Sequence, residues 1–203
     1  MTRRLSLAVV ALALVGCATQ GSMLPRPGSG PAALPGRLLV VARQPAPENR
    51  GVADRAATLV AQGLRPAGEV WTADELVREA TVTANAPWAV LLIERLSHGG
   101  WPTPDDRIEL LRFAITGLVV TEVTTYDQVW GKFAKFTRVA VEARAFDIAA
   151  GGVVWRLQRG VEVEDLRGRS FEYATESAVN SLLAAIYPGT AYSLVDLWRV
   201  WRR

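Results

Sequence analysis

Between residues 111 and 163 apolar and polar side chains alternate, and this alternation constrains the fold more than any other feature of the chain. Leu111, Phe113, Ile115, Val119 and Val123 hold odd positions, with Arg112, Thr116, Glu122 and Thr124 on the opposite face. The same parity holds for Val139, Val141, Ala143 and Ala145 against Arg138, Glu142 and Arg144. It returns in Val153, Trp155, Leu157, Val161 and Val163 against Arg156, Gln158, Glu162 and Glu164. Side chains of a strand point to alternate faces, so a period of two buries one face and wets the other. Three such strands in succession predict an antiparallel meander. Asp147 to Gly152 is a tight connection, because Gly151 and Gly152 tolerate the positive φ that hairpin turns demand.

The first half follows a different pattern. Leu38, Leu39, Val40 and Val41 form the continuous apolar run of a strand buried on both faces, here Arg37 to Ala42. Val52, Ala56, Leu59, Val60 and Gly63 then recur at helical spacing, with Gly63 as a left-handed stop. After a short extended piece at Glu69 to Trp71, Thr72 and Glu75 match a capping box opening a helix that carries Leu76 and Val77. Ala89 to Leu96, preceded by Pro87 as a breaker, reads as a further buried strand. Phe171 to Ile186 is helical through Ala174, Ala178, Leu182 and Ile186, and Pro188 ends it. The expected class is α/β (α+β), with a mixed sheet of about five strands and helices mainly on one face.

The amino-terminal residues carry an address. Arg3 and Arg4 precede an apolar run from Leu5 to Val15, and small residues lead to Cys17. A stable membrane-spanning helix takes about 20 residues, so this shorter run reads as an export signal. Its ending, Leu14-Val15-Gly16-Cys17, resembles the lipobox of bacterial lipoproteins. That resemblance implies cleavage after Gly16, acyl chains on Cys17 and a membrane-held mature protein. Ala18 follows the cysteine, and in the lipoproteins it resembles an aspartate there would favour retention at the inner membrane. The periplasmic face of the outer membrane is the expected location. Cys17 is the chain's one cysteine, which leaves no intramolecular disulfide.

The formal charge of +3 counts Arg3 and Arg4, so the 23 basic residues fall to 21 against 20 acidic ones once the signal is gone. A near-neutral protein has no electrostatic footprint for nucleic acid. With 50% of residues hydrophobic, the chain can build a sizeable core. The expected layout is a signal over 1–16, a lipid-anchored Gly/Pro-rich tether over 17–36, one α/β domain over 37–190 and an amphipathic segment over 191–203. Pro25, Pro27, Pro31 and Pro35 keep the tether from regular structure, and fully extended it would reach roughly 60 Å.

The order of elements from Arg37 to Pro188 is similar to a group of envelope proteins. These are the curli-secretion lipoprotein, lipoprotein activators of peptidoglycan synthases and the amino-terminal domain of TolB-like proteins. The sharpest local likeness is a strand ending in aspartate, a glycine turn and a strand with tryptophan, here Phe146 to Trp155 through Asp147, Gly151 and Gly152. The same pattern also describes a stable hairpin in any antiparallel sheet. The likeness implies partner binding or assembly. Amphipathic hairpins for a membrane barrel are not evident, so pore formation does not carry over.

Residues with chemistry are sparse. His98 is the only histidine, in Ser97-His98-Gly99-Gly100-Trp101, and no Gly-x-Ser-x-Gly motif accompanies it. In an extended strand the Ser97 side chain would point away from His98. One histidine and no free thiol leave only carboxylates as further ligands, which does not match the nitrogen and sulfur sets that hold zinc. Asp105 and Asp106 precede a strand at Ile108 and read as solvated acids of a Pro-containing loop, although paired carboxylates can do acid and base work. No phosphate-cradling loop is present, and no cofactor is expected.

Two segments suggest contact surfaces. Trp130, Lys132, Phe133, Lys135 and Phe136 interleave rings and amines between two long strands, where they either dock on a partner or membrane or fold back on the core. Near the end of the chain Trp198 and Trp201 share a helical face with Leu194 and Leu197, beside Arg199, Arg202 and Arg203. This segment either lies at a membrane interface or packs on the domain. The leading expectation is a non-enzymatic periplasmic lipoprotein that binds a protein partner in envelope assembly, secretion or cell-wall synthesis. The alternative is a lipid or small-ligand carrier with a largely apolar pocket. A homo-oligomer is compatible with both.

Overall fold

The computed structural model describes residues 36–44, 50–132, 135–164 and 170–186. Cys17, Phe133, Trp198 and Trp201 lie outside the described residues, as do the signal, nearly all of the tether and the carboxy-terminal segment.

Among the described residues five strands form one mixed sheet in the order β2-β1-β3-β4-β5. They are β1 (Arg37–Arg43), β2 (Val70–Thr72), β3 (Ile115–Trp130), β4 (Lys135–Asp147) and β5 (Gly152–Glu164). β1 runs parallel to both β2 and β3. The β3–β4 and β4–β5 pairs are antiparallel, so the meander has the predicted topology. Among the described residues five α-helices accompany the sheet: α1 (Arg50–Leu64), α2 (Ala73–Val82), α3 (Ala86–Ser97), α4 (Pro104–Arg112) and α5 (Ser170–Ile186). The class is α/β, as the sequence pattern predicts.

The helices occupy both faces, where the sequence reading placed them mainly on one. α1 and α5 bury Ala53, Ala56, Val60, Ala174, Ala178 and Leu182 against Leu38, Val40, Val119, Val139, Val141 and Ala143. α2, α3 and α4 bury Leu76, Ala80, Ala89, Leu92, Leu96 and Leu110 against Leu39, Val41, Leu118 and Val120. Alternate residues of β1 thus feed two cores, which is why its apolar run is continuous. Each fully buried Leu or Val contributes about 1.5–3 kcal/mol of transfer free energy.

Several local assignments differ from the sequence reading. Residues 89–96 belong to α3, not to a strand. A short apolar run fits either conformation by periodicity, and the buried set Ala89, Leu92 and Leu96 has helical spacing. Pro87 lies in the first turn of α3, where its missing N–H costs nothing, so it opens the helix instead of breaking it. Leu111 and Arg112 belong to α4, and β3 starts only at Ile115, after Ala114 turns the chain at φ 55°. The inner half of β3 has no wet face, because Leu118 and Val120 are buried together with Val119. Gly63 does not stop α1, which continues to Leu64. A Cβ at Gly63 would fall on the Leu183 side chain of α5, so the glycine is where two helices approach. The capping box of α2 is as predicted: Thr72 N donates to Glu75 Oε2 at 2.7 Å, and Glu75 N to Thr72 Oγ1 at 3.4 Å.

Candidate functional site

The strand directions define two poles. Arg37 pairs with Ile115 and Arg43 with Glu122, so β1 and β3 rise together, and β3 then continues to Trp130. That overhang of β3 and β4 projects about 25 Å beyond the end of β1. The pole at Arg37 is the one that follows the expected tether of residues 17–36 and is named the tether pole for that reason. α5 begins at the far pole, where Phe171 meets Tyr126 with ring centroids 4.2 Å apart. It ends beside Gly63, close to the tether pole. Both ends of the described fold, at Gly36 and Ile186, therefore emerge near one pole, with Trp130 at the other.

At the far pole Trp130 is 77% exposed. It forms the last register pair of the hairpin with Lys135, whose Nζ sits 5.2 Å from the centre of its ring. Lys132 follows in the exposed connection. Phe136 is half-buried and pairs with Val129 and Glu164. The structure thus brings Trp130 and Lys135 together and leaves the tryptophan in water instead of folding it into the core. An exposed indole presents a large apolar ring with a polar N–H, the combination enriched at interfaces.

A second feature lies on the face of β4 and β5 opposite to the one that receives α5. Glu142 is 1% exposed. Its carboxylate accepts from Arg144 Nε and from Arg156 Nη2, the latter at 2.6 Å. Glu122 stands 3.5 Å from both Arg43 and Arg144, extending the network across four strands. Desolvation pushes the Glu142 carboxyl up, but the hydrogen bonds and charges of Arg156 and Arg144 outweigh it, and the group is held below its ordinary range. The bond to Glu142 correspondingly raises Arg156. Glu142 is a fully engaged acceptor, and this arrangement organises the sheet face.

The third feature is a groove of about 630 Å³ at the tether pole. Arg37, Glu69 and Trp71 line one side, and Glu75, Arg78 and Glu79 of α2 face them. Arg112 and Phe113 close the end. The Arg37 guanidinium lies 4.0 Å over the Trp71 ring, donates to the Phe113 carbonyl at 2.5 Å and pairs with Glu69 at 2.8 Å. Its Nε is buried without a partner. Phe113 stacks on Trp88 at 5.8 Å. Sequence reading missed this groove, because its walls come from segments more than 70 residues apart and no motif joins them.

Asp106 and His98 have structural partners, whereas Asp105 is exposed. Asp105 and Asp106 open α4, not a loop before a strand. Asp106 is 4% exposed and accepts from Trp88 Nε1 at 3.1 Å, Thr103 N at 2.8 Å and Thr103 Oγ1 at 2.7 Å, besides its ion pair with Arg95. It is a buried helix cap, not a solvated acid. His98 caps α3, its Nδ1 2.7 Å from the Glu94 carbonyl oxygen. Ser97 is helical, so its Oγ lies 3.3 Å from His98 Nδ1 instead of pointing away, and donates to the Glu94 carbonyl at 2.8 Å. Both polar groups are turned onto the helix end. Among the described residues no cluster of three His, Cys, Asp or Glu side chains could hold a metal ion. None of the described helices is long and apolar enough to cross a membrane.

No protein-family model matches the sequence, and no curated protein matches it. Solved structures that resemble the backbone at low identity include the following three. Lipoprotein GNA1162 from Neisseria meningitidis is 18% identical, covering 78% of this chain and 100% of its own, with a TM-score of 0.49. The PelC dodecamer from Paraburkholderia phytofirmans is 14% identical over 74% of this chain and 85% of its own, with a TM-score of 0.46. The hypothetical protein CT253 from Chlamydia trachomatis is 10% identical over 75% of this chain and 98% of its own, with a TM-score of 0.42.

Proposed function

We propose that this chain is a non-enzymatic envelope lipoprotein, held through Cys17 at the periplasmic face of the outer membrane, that presents its β3–β4 end to a protein partner. The observation that carries this reading is Trp130, 77% exposed at the pole opposite the tether. Tryptophan is enriched among the few residues that dominate protein interfaces, and its exposure on a projecting hairpin suits docking. The anchor side of the reading rests on the Leu14-Val15-Gly16-Cys17 motif. A photo-crosslinker at position 130 in intact envelopes should give one discrete adduct that is absent with the crosslinker at exposed Leu91 on α3. The same adduct pattern from both positions would refute partner docking at this end, and a bare thiol on the native protein would refute the anchor.

The alternative of carrying a whole lipid or other apolar ligand required a largely apolar pocket. The groove at the tether pole is instead lined by three arginines and three glutamates around Trp71 and Phe113, so it does not favour that reading.

A further inference from the structure

The charge pattern of the groove at the tether pole, together with its place on the fold, leads beyond anchoring. Glu75, Arg78, Glu79 and Val82 are spaced by three, four and seven residues and so share one face of α2. Glu75 is committed to the helix cap and to Arg65 at 3.0 Å. Arg37 is committed to Glu69, and Arg112 pairs with Glu109 at 2.5 Å. The Arg78 and Glu79 side chains make no hydrogen bond or salt bridge with another described residue, Arg78 acting only through its charge on Glu75, and both line the groove. One turn further on, Val82 is 80% exposed.

These residues select a ligand by exclusion as well as by attraction. A simple anion entering the groove would meet Glu69, Glu75 and Glu79, and a simple cation would meet Arg37, Arg78 and Arg112. A group carrying both charges a few ångströms apart could pair with Arg78 and Glu79 at once, each end charge-assisted. The Trp71 ring and the exposed Val82 beside these charges suit the boundary between headgroups and acyl chains, where tryptophan is enriched. The position agrees: the groove wall includes Arg37, the first residue of β1, so the chain that reaches back to Cys17 starts at the groove itself.

We propose that this groove is a lipid-headgroup site for a phosphate joined to a primary ammonium, as in phosphatidylethanolamine, and that it seats the domain with its tether pole against the membrane. The phosphate pairs with Arg78, the ammonium with Glu79, and Val82 enters the upper acyl region. The proposal rests on the anchored reading for its setting, but its test does not need the anchor. The mature chain begun at Ala18, and so without lipid, is floated with vesicles of phosphatidylcholine alone or mixed with phosphatidylethanolamine or phosphatidylglycerol. Binding should rise about fivefold when phosphatidylethanolamine is included, the scale of one charged contact at a membrane surface. The paired change Arg78→Gln with Glu79→Gln, and separately Val82→Asp, should return it to the phosphatidylcholine level. All three positions are exposed, so a circular-dichroism melt should show the fold intact.

Soluble phosphoethanolamine should compete, and inorganic phosphate should not. Equal binding to all vesicles, binding to phosphatidylglycerol alone, or full binding by the groove variants would each overturn the proposal. So would loss of binding only on Trp198→Ser with Trp201→Ser, which would assign the contact to the carboxy-terminal segment. A bare Cys17 on the native protein would refute the anchor and leave the vesicle result standing.

Discussion

A carboxylate at position 142 in the middle of a sheet would cost several kcal/mol if it were alone. Arg144 and Arg156 offset that cost, and the pH dependence of the fold should report it. The folded carboxyl is held below its ordinary value of 4.5, so its contribution is complete above that value and is lost as pH falls through the depressed folded value. Glu142→Gln should therefore lower stability at neutral pH by about 1.5–3 kcal/mol, the range for hydrogen bonds to a charged group. In urea melts the difference from the parent should shrink in acid, and a pH-independent difference would exclude the ion network as its cause. The Glu142, Arg144 and Arg156 alternation was legible in the sequence as a wet face. That the carboxylate is buried beneath its arginines was not, because relative depth on one face leaves no mark in a period of two. Asp106 shows the same limit: Thr103-x-x-Asp106 is a capping box with the shorter acid, and the usual signature calls for Glu or Gln.

At the level of elements, the approach of α1 to α5 is set by the missing Cβ of Gly63. Alanine is the better helix former by about 1 kcal/mol, and in an isolated helix Gly63→Ala would stabilise. Here the new methyl meets Leu183, which is 7% exposed and packed into the core, so overpacking of about 1–3 kcal/mol should outweigh propensity. Gly63→Ala should lower the thermal midpoint, and adding Leu183→Ala should cost less than the sum of the two changes. Strict additivity in that double-mutant cycle would mean that the helices do not meet there. The sequence revealed β1, α1, the α2 cap, the meander and α5. It misled over Ala89 to Leu96, where burial on one side of the sheet produces an apolar run that fits a strand or a helix equally well. It hid α4, whose exposed Ile108 and Leu111 blur the apolar stripe.

For the whole molecule, the distribution of roles between the poles makes its own prediction. Trp130 lies beyond both cores, so Trp130→Ser should change folding stability by no more than about 0.5 kcal/mol, as for other surface sites away from special features. If the far pole is a docking end, the same variant should weaken partner capture; a large stability loss would show instead that the indole packs on the domain. Neither pole could be assigned from the sequence. Alternation fixes which residues share a face but not which face receives helices, and the direction of a strand in space appears only once its neighbours are known.

With Gly36 and Ile186 both emerging near one pole, a reporter joined directly before Gly36 or directly after Ile186 would crowd the same end of the domain. An epitope placed in the connection after Trp130 would instead stand clear of both cores, and antibody access there would reveal which way the bound protein faces.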